Sequence, residues 1–270
     1  MTEATQLAIH PQQRPRIYWV FRDTFVLIVR SLKHIKQDPD QLVSVTIQPV
    51  LLVVLFRYLF GGAISTGSHE SYINFLMAGV FIETAALTAV TTSTSVTADV
   101  LTGVMDRFRS LPMLRLAILT GHVVADLCRS LIGMVVMVLV GLVVGFRPSA
   151  DAKAWVTAIG LTLLVTLALS WVSALLGLLG NSVEAVQQFG IILIVPIFAS
   201  SAFVPTQTMP SWLRVFADNQ PMTQAIDAVR ALLLGQPVGD HVRLTLIWFI
   251  GIVLVVFPIA DWLFKRRTSS

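Results

Sequence analysis

Long apolar stretches separated by short polar segments occupy most of this chain of 270 residues. A helix that crosses a bilayer needs about 20 mostly apolar residues. Six stretches approach or exceed that length, at residues 42–60, 72–96, 118–146, 155–179, 186–204 and 244–264. The period-two alternation that a membrane β-barrel requires is absent. The pattern therefore predicts an all-α membrane protein, a single domain over residues 1–270 with a six-span bundle at 42–264.

A helical periodicity precedes the first span. Apolar side chains share one face, and basic and acidic side chains fall opposite; the apolar ones are Phe21, Phe25, Ile28, Leu32 and Ile35. We expect a flexible tail at 1–16 and an interfacial helix at 17–38 lying along the membrane surface. Asp38 and Pro39 then turn the chain into the bilayer. Whether this helix only anchors the chain or also transmits movement stays open.

The connection between the fifth and sixth spans contains two short amphipathic patterns. Pro210 stands at the first position of one and Pro221 near the start of the other, and Gly235 follows the second. Proline inside the start and glycine past the end are typical helix boundaries. We expect two short external helices that dip partway into the outer leaflet. The alternative is a small lid above the bilayer.

Composition agrees with a lipid-solvated surface. Hydrophobic residues make up 55% of the chain and charged residues 13%, where a soluble domain carries about a quarter charged residues. The net charge of +4 is modest and the basic residues lie beside apolar spans, which argues against a nucleic-acid partner. Cys128 is the single cysteine, so the chain has no disulfide framework.

Lysine and arginine also predict the orientation of the spans. Twelve of them lie in residues 14–36, 107–115 and 265–267, and only five lie in the segments that would face the other side. Cytoplasmic segments carry the excess of positive charge. The even number of spans agrees with this bias, so we expect a multi-pass protein of the cell membrane with both termini in the cytoplasm.

The polar segment between the second and third spans, residues 99–112, carries a third helical pattern. Its apolar side chains recur at helical spacing and its charged side chains face water or a partner; the two sets are Leu101, Met105, Phe108 and Leu111, and Asp106, Arg107 and Arg109. Gly103 allows a bend and Pro112 stops the helix. A short helix parallel to the membrane can dock into a cytoplasmic protein. An ordinary surface helix under the bundle explains the spacing equally well.

This segment and two others resemble a known family. The string Asp-Arg-Phe-Arg-Ser-Leu-Pro at 106–112 is similar to the cytoplasmic coupling segment of ABC-2 type permeases, in particular the daunorubicin-resistance group. The interfacial helix resembles that family's elbow helix. Pro221 and the string Ala-Val-Arg-Ala-Leu-Leu-Leu-Gly at 228–235 resemble its last external segment. The likeness covers about residues 17–267, although Ala78-Gly79 stands where family members often have Pro-Gly.

The resemblance implies the membrane-spanning permease subunit of an ATP-driven exporter that moves small amphipathic, drug-like or lipid-like molecules outward. It implies an ABC nucleotide-binding subunit as partner and a second permease, either another copy or a related chain. Segment 101–111 would couple to that ATPase, with Glu184 in the turn 180–184 as a smaller contact. Spans one, two and five would flank the pathway.

No chemistry of its own is expected for this chain. The phosphate-cradling pattern Gly-x-x-x-x-Gly-Lys-Ser/Thr is missing, so ATP and magnesium would bind on the partner subunit. We find no metal-ligand spacing among the scattered histidines and no cofactor pattern. A membrane-embedded enzyme would need a cluster of Asp, Glu or His on one face, and the sequence shows none. We therefore expect a transport subunit and no enzyme.

Ionisable side chains inside spans are costly and often functional. Glu83 can pair with Arg57 of span one, or face the pathway and select cationic substrates. Asp126 and Arg129 are three residues apart and so share a helical face, which predicts a structural pair. Glu83 or Asp126 would be the proton carrier if the protein were instead an ion-coupled secondary transporter.

The second span also carries a run of hydroxyl residues at 88–97. Such side chains can bond to their own helix, join neighbouring helices or line a moderately polar path. The candidate pathway residues are Glu83, Thr91, Thr92, Thr94 and Phe189.

Overall fold

The computed structural model describes residues 39–61, 71–102 and 117–267, and this part of the chain folds into helices and turns without any strand. The α-helices in these ranges are α1 (Pro39–Leu55), α2 (Tyr72–Leu101), α3 (Ala117–Val144), α4 (Ala152–Leu179), α5 (Val183–Gly190), α6 (Val195–Phe198), α7 (Ser211–Asn219), α8 (Pro221–Leu233) and α9 (His241–Arg267). The interfacial helix expected at 17–38, and Met105 to Leu111 of the coupling segment, lie outside the described residues.

Four helices are long and apolar enough to cross a bilayer, namely α2, α3, α4 and α9. Helix α1 continues as a single π turn at Phe56–Phe60, and these two together cover the first predicted span. The fifth predicted span corresponds to the shorter apolar segment Val183–Phe198. The all-helical membrane fold is thus confirmed, while the complete six-span layout remains a prediction.

Helix α2 is the centre of the bundle and packs against α1, α3, α4, α5 and α8. Within its apolar window 78% of residues are buried, compared with 11% for α9. Small residues permit close approach of helices in lipid, where no hydrophobic force drives them together. A Cβ added at Gly177 of α4 would lie 2.6 Å from the carbonyl oxygen of Ser93. Glycine at this position therefore lets α4 lie directly against α2.

The fifth span is not the continuous helix that the apolar stretch 186–204 predicts. After α5 the chain forms a 3₁₀ turn at Ile191–Leu193, then the single helical turn α6, then a series of turns. Pro196 has no N–H to donate and disrupts the regular helical ladder. The amide nitrogen of Gln220 donates to the carbonyl oxygens of Pro196 (2.8 Å) and Ala199 (2.6 Å). A side chain from another element therefore satisfies part of the broken backbone.

Two short helices, α7 and α8, occupy the connection before α9, at the positions where the sequence predicts them. Pro221 stands in the first turn of α8, where its missing N–H is not needed. Gly235 follows the helix with a φ of 63°. That left-handed conformation is unfavourable for a side chain with a Cβ, so glycine allows the chain to leave α8.

Apolar packing is divided between two clusters of buried side chains. The larger surrounds the first half of α2. The smaller joins the second half of α2 to the start of α3 and the ends of α4 and α9; it includes Val96, Leu119, Trp171, Leu178 and Phe264. We call this region the α2–α3 end of the bundle. Four chain segments thus meet where the undescribed coupling segment is attached.

The contact between α2 and the broken fifth span gives a first prediction. A Cβ at Gly79 would lie 2.6 Å from the carbonyl oxygen of Ala202 and 2.7 Å from its Cα, so backbone would have to move. We expect Gly79→Ala to lower the stability of the purified protein by about 1–3 kcal/mol, measured by thermal unfolding in detergent.

Gly160 of α4 provides the matched control because nothing lies within 4 Å of its added Cβ. Gly160→Ala should leave the melting temperature unchanged or raise it slightly, since alanine favours the helix. Equal melting temperatures of the two variants would show that the close contact of α2 with Ala202 does not require glycine at position 79.

Candidate functional site

A cluster of polar side chains lies inside the bundle between α2, α3 and α4. Asp126 is 0% exposed and forms an ion pair with Arg129 at 3.2 Å, and Arg129 is 8% exposed. Ser170 of α4 donates to the Asp126 carboxylate at 2.7 Å, and Thr92 of α2 donates to the same oxygen. Arg129 also donates to the hydroxyl of Thr91 at 2.6 Å. One carboxylate and its partner therefore connect three helices.

The structural pair predicted from the spacing of Asp126 and Arg129 is confirmed. A charge buried without a partner costs several kcal/mol, and hydrogen bonds plus an opposite charge offset that cost. A second contact, 2.9 Å between the hydroxyls of Ser130 and Thr166, joins α3 to α4 about one helical turn away from the contact of Asp126 with Ser170. The sequence gives no signal for Ser170, because its helix brings it to Asp126 only in the folded bundle.

The hydroxyl groups in the run at 88–97 of α2 form hydrogen bonds mainly with other groups of the protein. Thr88 bonds back to Thr84, Thr91 to Thr88 and Thr94 to Thr91, at 2.7 to 2.9 Å. Thr91 and Thr92 in addition contact the Asp126–Arg129 pair. These bonds satisfy hydroxyl donors where water is absent. Whether the same side chains line a path stays a prediction.

Glu83 lies in the buried first half of α2 and is 0% exposed. Neither of its carboxylate oxygens has a hydrogen-bond partner among the described residues. The pair with Arg57, one of the two roles considered for Glu83, is therefore not formed in the described chain. Phe189, by contrast, lies exposed on α5 at the surface of the subunit.

The α2–α3 end brings several polar groups together. Nε2 of His122 lies 2.8 Å from a carboxylate oxygen of Asp99, and this contact links the last turns of α2 to the first turns of α3. Thr97 donates to the carbonyl oxygen of Gly177 at 3.0 Å, which places the end of α4 beside the end of α2. Leu101 is the last residue of α2, and Glu184 lies in the first turn of α5, just after the end of α4; both side chains are exposed. Both described residues of the predicted ATPase contact thus lie at one end.

The opposite end of α2 is held by Arg230 of α8. Its guanidinium donates to the carbonyl oxygens of Phe75 (3.1 Å) and Ser201 (2.5 Å) and pairs with Asp227 (2.5 Å). It also stacks over the Phe75 ring, 3.7 Å from the centroid. The planar guanidinium suits such combined contacts better than lysine does. The sequence indicates Arg230 only within a family pattern, because Phe75 and Ser201, which accept its hydrogen bonds, are distant in the chain.

The described residues contain no group of three or more His, Cys, Asp or Glu side chains placed to hold a metal ion. Four membrane-length helices around polar groups that are turned inward are typical of an integral membrane protein. The family model for the ABC-2 type transporter matches residues 22–234. The chain belongs to the ABC-2 type transporter family, and it is a membrane permease.

Among the similar proteins are two permeases that are named for drug resistance. The daunorubicin resistance ABC transporter permease protein of Streptomyces coeruleorubidus is 31% identical over 258 residues, which is 95% of this chain and 91% of the relative. The protein named probable doxorubicin resistance ABC transporter permease of Mycobacterium tuberculosis is 25% identical over 246 residues, covering 89% and 87% of the two chains. The similarity to both relatives thus extends over most of each chain.

The buried pair gives a second prediction. Asp126→Ala should destabilise the protein by about 3–5 kcal/mol because it leaves Arg129 charged and buried without its partner. Arg129→Ala should do the same to Asp126. Adding the second substitution should cost less than the first one did, since no isolated charge is left behind.

This double-mutant cycle is read by denaturant unfolding in mixed micelles. The matched control is the exposed pair of Arg214 and Asp218, at 3.4 Å on α7, for which we expect changes below about 1 kcal/mol. Strictly additive losses at Asp126 and Arg129 would mean that the two charges do not support each other.

Proposed function

We propose that this permease forms the membrane part of an ATP-driven exporter of small amphipathic, drug-like molecules. A separate ABC nucleotide-binding subunit binds ATP and magnesium, and a second permease, identical or related, completes the pathway. The chain crosses the cell membrane six times, with both termini in the cytoplasm. The observation that carries the proposal is the 31% identity to a daunorubicin resistance permease over 95% of the chain.

The α2–α3 end is the proposed cytoplasmic end, where the ATPase docks. Leu101 ends α2 there, and Glu184 in the first turn of α5 lies at the neighbouring α4–α5 turn. The coupling segment with Met105, Asp106, Arg107, Phe108, Arg109 and Leu111 connects α2 to α3 at this end. Movement of the ATPase would therefore act directly on α2, which is in contact with most of the bundle.

The proposed pathway runs along the face that contains α5 and α6. Phe189, Ile192, Val195 and Phe198 are exposed on this face and present an apolar surface. Apolar side chains with few polar groups suit an amphipathic cargo. Pairing with the second permease across this face would enclose the path. Glu83 belongs to α2, which packs against α5, and Thr91, Thr92 and Thr94 lie about two to three turns further along that helix.

Reconstitution tests the proposal. We expect the permease together with the nucleotide-binding subunit that co-purifies with it to accumulate daunorubicin in inside-out vesicles when ATP is added, measured by quenching of drug fluorescence. The permease alone should accumulate none against a gradient. Accumulation by the permease alone under an imposed pH gradient, without nucleotide, would favour an ion-coupled secondary transporter.

A substitution in the coupling segment tests the docking site. Phe108→Asp places a charge where an apolar side chain is expected to enter a groove of the ATPase, so the ATPase should no longer co-purify. The permease should still be found in the membrane fraction at normal levels.

Phe216→Asp is the matched control, because Phe216 is exposed on α7, in the connection assigned to the external side. The same chemical change there should leave the complex intact. Normal recovery of the ATPase with Phe108→Asp would contradict the assignment of the coupling segment.

A further inference from the structure

One face of α2 lies against the segment 180–203 along its whole length. The hydroxyl of Tyr72 donates to the carbonyl oxygen of Phe203 at 2.9 Å. Added Cβ atoms at Gly79, Gly190 and Gly180 would lie within 3.0 Å of Ala202, Val90 and Thr97, respectively. The α2 positions in these contacts are 72, 79, 90 and 97. Spacings of 7, 11 and 7 residues keep them on one face of a helix of 3.6 residues per turn.

Glu83 belongs to the same face. It is four residues after Gly79 and seven residues before Val90, and both spacings are close to whole turns. It lies about 6 Å along the helix axis from Gly79, at 1.5 Å per residue. Glu83 therefore faces the part of the fifth segment between Gly190 and Ala202. That part contains the break in the helix.

The broken segment has one buried side and one exposed side. Ile197 is fully buried on its inner side. Ile191, Ile192, Val195 and Phe198 are exposed on its outer side. A backbone that lacks a continuous helical ladder opposes local movement less than an intact helix does. The part of the fifth span toward which Glu83 faces is thus its least regular part.

The chemistry of Glu83 indicates what it binds. A carboxylate in the membrane interior is expensive unless a proton or a cation compensates it. Asp126 has an arginine and two hydroxyl donors, whereas neither oxygen of Glu83 has a hydrogen-bond partner in the part of the chain that the structure describes. Within the described residues of α2 and α3, two carboxylates are fully buried. That of Asp126 is ion-paired through Oδ1 and hydrogen-bonded through Oδ2, and that of Glu83 has neither kind of partner.

We propose that Glu83 is the specificity-determining counter-charge for a positively charged amphipathic cargo, and that displacement of the broken segment uncovers it. The apolar body of the cargo would lie against the exposed side chains of α5 and α6, and its cationic group would pair with the carboxylate. This inference rests on the proposed function and identifies the class of its substrate.

Binding to the full-length permease in lipid nanodiscs tests this assignment without nucleotide or ATPase. The probes are tetraphenylphosphonium, a lipophilic cation, and triphenylphosphine oxide, a neutral compound with similar aromatic rings. Glu83→Gln should weaken binding of the cation about tenfold or more, because it removes an ion pair shielded from water. Binding of the neutral probe should change less than about twofold, and Glu83→Asp should restore part of the cation binding.

Thr88→Val is the matched control on α2. Thr88 is buried but is nine residues from Gly79, on the opposite side of the helix, and its hydroxyl bonds only to its own helix. The Thr88→Val variant should bind both probes as tightly as the unsubstituted protein does. Equal weakening of both probes by Glu83→Gln, or unchanged binding of the cation, would overturn the proposal.

Labelling with dicyclohexylcarbodiimide, an apolar reagent for carboxyl groups, gives an independent readout. Peptide mass spectrometry separates the product at Glu83 from that at Asp126. Tetraphenylphosphonium should protect Glu83 and leave the labelling of Asp126 unchanged, whereas equal effects at the two sites would contradict the assignment. Selective cation binding at Glu83 without any ATP-driven export would refute the proposed function alone. ATP-driven export without selective cation binding at Glu83 would refute only the role of Glu83.

Discussion

The exclusion of water from the bilayer core is the constraint on which the arrangement of this permease depends. A polar group in that core must find its partner in the protein. Asp126 meets this requirement with Arg129 on its own helix, Thr92 on α2 and Ser170 on α4. In the same region, hydroxyls along α2 donate to carbonyls one turn earlier. The contacts of Asp126 join α2, α3 and α4 and fix the register between these helices.

The broken fifth span is held in a different way. Its released carbonyls at Pro196, Ala199 and Ser201 accept hydrogen bonds from Gln220 and Arg230, which belong to the connection after it. Irregular backbone at membrane depth is tolerated where protein groups satisfy it. The fifth span and α8 therefore depend on each other, and a movement of one changes the contacts of the other.

Helix α2 links the two ends of the molecule. Its 30 residues extend about 45 Å at 1.5 Å per residue, from Phe75 beneath Arg230 to Asp99 beside His122. Because closely packed interiors deform little, a displacement of α2 at the α2–α3 end is transmitted along the whole helix. The proposed ATPase, docked at the α2–α3 end, would therefore act on the whole bundle through this one helix.

The sequence alone determined the membrane class, the helical type of the described long apolar stretches other than the fifth, the two short helices after the fifth span, the pairing of Asp126 with Arg129 and the family. These features follow from length, periodicity and local spacing, which are properties of neighbouring residues. Tertiary structure alone decided that Ser170 and Thr92 complete the Asp126 site, that Arg230 contacts Phe75 and Ser201, and that Glu83 lacks the partner Arg57. It also decided where the fifth span breaks, since Gln220 of another element supplies the hydrogen bonds that the broken backbone needs. Such contacts depend on which helix faces come together, and no local pattern encodes that.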